Sequence, residues 1–235
     1  MSFETAARLI GGQGIRITQP GSLNDVFENP ARNPNNKETD LVTKVSSHLS
    51  RNNIAITSYS ETPLNLLMWS HYADEYKGVV IGFNAQHSFF KNLYRVRYVE
   101  KILNESFQPH IDILQKGNVW IYEKEWRQLW NKPQRHKSEF QPDNDYVGHD
   151  FYYDDENDNT IYLRHFPIEI ISEIIYGPRF YENETIGRYI SKNYFGNKVT
   201  DVDSLNLYLK ENHPNIKLNV ASPSKTKYEL KLFTL

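Results

Sequence analysis

The sequence has no cysteine. That absence excludes disulfides, cysteine-ligated zinc, cysteine-held iron–sulfur clusters and a thiol nucleophile. No apolar run reaches the roughly 18 residues that a membrane-spanning helix needs. The opening residues MSFETAARLIGGQGIRIT lack the basic start, apolar stretch and cleavage site of a secretory leader, so a cytoplasmic location is expected. A dominant charge is missing too: 27 Lys and Arg stand against 29 Asp and Glu, a net charge of −2. This argues against a generally basic nucleic-acid coat and leaves room for a local basic groove. Aromatic residues, by contrast, are plentiful, with 16 Tyr, 12 Phe and 4 Trp in 235 residues. A chain of this length can bury a full core, and these rings would carry much of it.

Hydrophobic periodicity predicts a short helix over 2–10 capped by Ser2, and further helices over 38–50, 62–77, 107–117, 182–194 and 201–212. Thr62-Pro63 suits the start of the third segment and Gly78 its end. Alternating or short apolar runs predict strands at 15–18, 54–60, 79–83, 94–99, 123–129, 161–165, 170–176, 216–220 and 228–233. No internal repeat and no linker cuts the chain, so a single domain over 1–235 is expected, with an acidic loop insertion at 139–159 that carries no Lys or Arg. Helices and strands interleave without regular βαβ spacing. The fold class expected is α+β, with a mixed, largely antiparallel sheet and packed helices.

Four polar clusters sit in apolar surroundings. In the strand at 54–60, Ser58 and Ser60 share a face with Ile54 and Ile56, which suits hydroxyls that position a ligand or a carboxylate; the competing reading is that they complete a turn. Met68-Trp69-Ser70-His71-Tyr72-Ala73 concentrates aromatic and titratable groups on one helix. There His71 is a candidate base or anion ligand against the alternative of a core histidine, and Trp69 or Tyr72 could stack on a planar ligand. In Trp120-Ile121-Tyr122-Glu123-Lys124-Glu125-Trp126-Arg127, strand spacing sets Glu123, Glu125 and Arg127 in a row. Paired carboxylates there could stabilise a cation, take a proton or bind a metal, or else form a structural ion pair with Arg127. Asn24-Asp25-Val26-Phe27-Glu28 reads first as a turn, with Asp25 and Glu28 able to hold a basic residue or a ligand.

Other patterns point more weakly. Asp154 to Asp158 lacks the glycine and the closing glutamate of a calcium loop and reads as a solvated hairpin. No two histidines have the spacing of a zinc pair. Gly177-Pro178-Arg179 is a turn whose arginine could meet an anion.

Taken in order, these stretches resemble the bacterial domain-of-unknown-function family 2971. The matching segments are Leu23 to Glu28, Ile56 to Ser60, Met68 to Ala73 with Lys77-Gly78-Val79, Trp120 to Arg127, and Glu173 to Arg179. Members of that family carry an additional first strand with a Tyr and a basic residue, ahead of the segment matching Phe3 to Thr18, and this chain starts after that point. The motif order is also similar to ADP-ribosyltransferases, which use a first-strand arginine, a Ser-x-Ser and a Glu-x-Glu on NAD. That resemblance implies Ser58 and Ser60 as positioning hydroxyls, Glu125 as the catalytic carboxylate and Glu123 as its helper. Arg8 or Arg16 would stand in for the missing arginine, and the acceptor would be a protein, a nucleic acid or a small molecule. No metal is expected in that reading. Two other classes remain: a magnesium- or manganese-dependent phosphodiesterase or nuclease using Asp25, Glu28, His71, Glu123 and Glu125, and a non-catalytic module that binds a ligand or a partner.

Overall fold

Ser2 opens the first helix, α1 (Phe3–Arg8), by accepting from the Thr5 amide, and Glu4 and Arg8 pair along it four residues apart. The helix widens into a π turn over Leu9–Gln13, and Gly12 at φ 86° and Gly14 at φ 91° then reverse the chain at a backbone conformation that glycine takes without strain. The computed structural model describes residues 1–19, 23–25, 54–101, 113–131, 151–154, 160–182, 199 and 201–235. It has both helices and open sheets, an α+β fold. The chain divides into two compact units, each built from non-consecutive segments: Met1–Gly14, Thr62–Ser88 and His165–Leu235 form one, and Ile15–Glu61 and Phe89–Arg164 the other.

The first unit is built on a four-stranded sheet in the order β12-β11-β10-β3. Its strands are β3 (Val79–Phe83), β10 (Ile171–Tyr176), β11 (Lys217–Pro223) and β12 (Leu230–Thr234). The parallel pair β10–β11 needs a crossover, and the helix Val202–Asn212 (α3) lies in it, held at its start by a capping box between Asp201 and Ser204. One face of the sheet buries Ile175, Ala221 and Leu230 against Trp69 and Ala73. Trp69 belongs to α2 (Leu66–Tyr72), and its indole N–H donates to the Pro63 carbonyl at 2.6 Å. On the other face the Tyr176 hydroxyl donates to Asn206 of α3 at 2.6 Å. Its ring lies 4.5 Å from Phe180, which in turn meets Phe3 of α1.

The helix expected over 62–77 is shorter at both ends. Asn65, not Thr62, caps it, accepting from the amides of Leu67 and Met68. After Ala73 the residues Asp74, Glu75 and Tyr76 take left-handed φ angles of 50°, 50° and 73°. That run is held from outside: the Lys77 amide donates to Asp74, the Gly78 amide returns to Ala73, and the Arg179 amide donates to the Tyr76 carbonyl.

The second unit holds a three-stranded sheet ordered β2-β7-β4, from β2 (Ile54–Ser60), β4 (Leu93–Arg95) and β7 (Glu125–Asn131), all antiparallel. A second sheet runs β1-β9-β8, from β1 (Ile15–Ile17), β8 (Phe151–Asp154) and β9 (Thr160–Arg164), and a Thr18–Ile56 bridge links β1's end to β2. Ile17, Ala55 and Tyr162 pack with Trp130; Ile56 and Ile113 pack with Leu23, Ile54 and Leu129. Two sequence expectations change here. Residues 115–117 are β6 (Gln115–Gly117), parallel to β5 (Arg97–Val99), where a helix was expected. The strand expected over 94–99 splits at Val96, whose amide turns to the Glu125 carbonyl. The hairpin expected around Asp154 has its two strands in β8 and β9; the remainder of 139–159, and the helices expected at 38–50 and 182–194, lie outside the described residues.

Gly177 tests the packing of the left-handed turn. A Cβ there would run into the Tyr76 carbonyl, a backbone group that cannot swing away, whereas at Gly117 it would meet only the tip of Val119. Gly177→Ala is expected to lower stability in urea denaturation by about 1–3 kcal/mol. Gly117→Ala is expected to stay within about 0.5 kcal/mol of wild type.

Candidate functional site

β7 is the central strand of its sheet, and residues two apart on it face the same way. Glu125 and Arg127 therefore sit side by side, and the guanidinium grips the carboxylate with two bonds: Nε to Oε1 at 2.8 Å and Nη2 to Oε2 at 3.1 Å. The remaining Arg127 nitrogen, Nη1, donates to the Ile113 carbonyl at 2.6 Å. Glu123 precedes the strand. It ends the 3₁₀ turn Asn118–Glu123, and Lys124, left-handed at φ 46°, turns the chain from that turn into β7. So the expected row of Glu123, Glu125 and Arg127 on one strand is corrected: only the last two share it.

The two carboxylates still meet, through a residue that the sequence reading missed. Lys116 of β6 donates to Glu123 Oε2 at 2.5 Å and to Glu125 Oε2 at 3.2 Å, with its ammonium 4.8 Å from the centre of the Trp120 ring. Two anions and two cations thus form a neutral cluster in the interior, with Arg127 only 1% exposed and Glu125 5%. Burial pushes the Glu125 carboxyl up, but the hydrogen bond and charge of Arg127, the charge of Lys116 and a hydrogen bond from Ser58 together hold it below its ordinary value of 4.5. Tyr98 accepts from the Glu125 amide at 2.8 Å, and burial raises its phenol, as it does that of Tyr59.

Ser58 and Ser60 lie opposite this strand, Ser58 paired with Arg127 and Ser60 with Glu125. Both residues are exposed although they share a face with buried Ile56: the middle of β2 is buried and its end is not. Ser60 donates to the Glu123 carbonyl at 2.7 Å, and Ser58 bonds Glu125. Arg16 is exposed on β1, between buried Ile15 and Ile17, and its carbonyl accepts from Thr57. Arg8 pairs with Glu4 in the first unit. Asp25 is buried in the second unit at a bend, as the turn reading expects; Glu28 lies outside the described residues.

The remaining candidates belong to the first unit. Trp69 is 1% exposed, so its ring has no face to offer a planar ligand, and the stacking role expected of it is corrected to a core role. His71 is exposed, with its ring 6.1 Å from Tyr72, so the core-histidine alternative is overturned while its polar role stays open. Tyr72 is exposed beside it. Among the described residues no three acidic or histidine side chains converge where a cation could sit, and no helix is long and apolar enough to cross a membrane.

Fold and site together define an α+β protein with a buried, charge-balanced carboxylate cluster. Residues 68–128 match the family described as protein of unknown function (DUF2971). The matched segment runs from α2 to β7 and contains two of the stretches on which the resemblance rests, Met68 to Val79 and Trp120 to Arg127, so the resemblance holds over them. No curated protein and no solved structure matches the chain.

The cluster has a pH signature. Because the folded state holds Glu125 below its ordinary value, the stabilisation it contributes is fully present above that value and is lost as pH falls through the folded one. The stability difference between wild type and Glu125→Gln, followed by urea denaturation across pH, is expected to be widest near neutrality and to close below pH 4.5. A difference that does not vary with pH would remove Glu125 from the ion cluster.

Proposed function

We propose that the protein is a non-catalytic binding module in which the Glu-x-Glu is structural. The observation that carries this reading is the occupancy of Glu125: both carboxylate oxygens are taken by buried cations, Oε1 by Arg127 and Oε2 by Arg127 and Lys116. These three bonds and the hydrogen bond from Ser58 compete with any substrate hydroxyl for the carboxylate's acceptor sites, and held below its ordinary value it is a poor proton acceptor near neutrality. The cluster does have a mechanical consequence. Lys116 stands before the turn Asn118–Glu123 and Glu123 ends it, so their ion pair staples the base of that turn. At its tip Val119 is 79% exposed and Ile121 59%. A rigidly held apolar turn is suited to presenting a contact surface to a partner.

A second reading has its own support. The Ser-x-Ser strand pairs directly with the Glu-x-Glu strand, and Ser58 hydrogen-bonds Glu125, the relation that the ADP-ribosyltransferase resemblance requires. In that reading NAD is the substrate and Ser58, Ser60 and Glu125 surround the reacting ribose.

Incubation with NAD, following nicotinamide by NMR, separates the two. Wild type is expected to release none. Arg127→Met, which strands Glu125 as an uncompensated buried charge, is expected to cost about 3–5 kcal/mol of stability. Nicotinamide released by wild type and not by a folded Glu125→Gln variant would overturn the binding-module reading in favour of the transferase.

A further inference from the structure

The first unit carries a surface groove of about 690 Å³ that neither the ion cluster nor the family match accounts for. One wall is the left-handed turn, with Tyr76, and the Pro178-Arg179 segment bonded to it; the other is the β11–β12 hairpin tip. Both walls are pre-shaped. Three consecutive non-glycine residues in the left-handed region are strained, and such runs persist only where the surroundings impose them. Here the Arg179 amide bonds the Tyr76 carbonyl, and Gly177 packs against that same carbonyl. The hairpin tip is tied by Ser224 N–H to the Glu229 carbonyl, Glu229 N–H to the Lys227 carbonyl and Thr226 N–H to the Ser224 hydroxyl.

What the tip displays is chemically specific. Tyr228 is 103% exposed, a whole aromatic ring left in water. Lys225 and Lys227 precede it on the same short loop, and Arg179 lines the groove from the other wall. The groove's lining carries three cations and one carboxylate, Glu229, in a chain whose net charge is −2. Arg179 also meets Glu182, but both side chains are about half exposed, and an ion pair in water holds an arginine only weakly. An open groove that offers a bare ring and three cations matches a flexible polyanion that carries planar groups at intervals. A free nucleotide, by contrast, is usually taken into an enclosed pocket.

We propose that this groove binds single-stranded nucleic acid, with Tyr228 stacking on a base and Lys225, Lys227 and Arg179 meeting the adjacent phosphates. The proposal concerns a site in the first unit and stands whichever reading of Glu125 holds. The probe is a fluorescein-labelled oligothymidylate of about twelve nucleotides, followed by anisotropy with the full chain at several salt concentrations. Wild type is expected to bind it, more weakly as salt rises, and to bind a duplex of the same length less well. Tyr228→Ala, at a fully exposed position, is expected to weaken binding about 5- to 150-fold with the salt slope unchanged, the signature of one lost stack. The double replacement of Lys225 and Lys227 by Ala is expected to lower the slope of log affinity against log salt by about 1.4, two phosphate contacts' worth. No salt-dependent binding by wild type, equal binding of the duplex, or Tyr228→Ala indistinguishable from wild type would each overturn the proposal. Competition by a mononucleotide at equal nucleotide concentration would overturn it in favour of a free-nucleotide site.

Discussion

Four charges closed inside one unit constrain everything around them. Two carboxylates and two cations in a low-dielectric interior are tolerable only while each faces its opposite, because an isolated charge there costs several kcal/mol. The four members come from three pieces of backbone: Lys116 from β6, Glu123 from the end of a 3₁₀ turn, and Glu125 and Arg127 from β7. Satisfying them fixes those pieces against one another, and the Arg127 bond to the Ile113 carbonyl and the Tyr98 bond to the Glu125 amide extend the constraint to the chain before β6 and to β5. Such a cluster is weak evidence of net stability, since well-packed apolar residues of the same volume could do as well. Its importance is geometric, because the turn cannot move without stranding a charge.

Much of this unit was legible in the sequence, and the part that was not has a physical explanation. The strand Ile54–Ser60 follows from alternation, and the transferase resemblance implied that its serines meet the Glu-x-Glu; the antiparallel pairing with β7 comes from the fold. Lys116 was not legible, because its segment carries helical spacing and nothing local marks a lysine for burial. Charge arithmetic points to it all the same. Two glutamates and one arginine in an apolar setting leave one negative charge uncompensated, and a buried set must balance. A second cation was therefore required, though only the fold could choose which. Lys124 is the other lesson. Glu-Lys-Glu reads as strand alternation, yet a single left-handed residue ends one element and starts the next, and a left-handed lysine has no signature in composition.

The first unit shows the same limit on a larger scale. Asp74-Glu75-Tyr76-Lys77 has acceptable helix propensity, and the reading that carried the helix to Gly78 was locally sound. What stops the helix is distant in sequence: the amide of Arg179 bonds the Tyr76 carbonyl, and Gly177 fills the space beside it. Tertiary bonds override propensity at a cost in strain. Each of the two units is assembled from interleaved segments, and one junction, Gly14–Ile15, falls where Gly12 and Gly14 reverse the chain.

The competing enzymatic reading can be given a structural requirement. Among the contacts of the two cations with Glu125, those to Oε2 are the longest, 3.1 Å from Arg127 and 3.2 Å from Lys116, whereas Oε1 is held at 2.8 Å. A substrate hydroxyl reaching Oε2 would compete there with Lys116. That ammonium is also bonded to Glu123 at 2.5 Å, so displacing it from the cluster would strand Glu123 at the end of the turn. Substrate entry at Oε2 would thus loosen the turn Asn118–Glu123 as well. An enzyme built on this geometry would have to make that loosening part of its cycle. A binding module needs the turn to stay closed, and every hydrogen bond of the cluster favours the closed state.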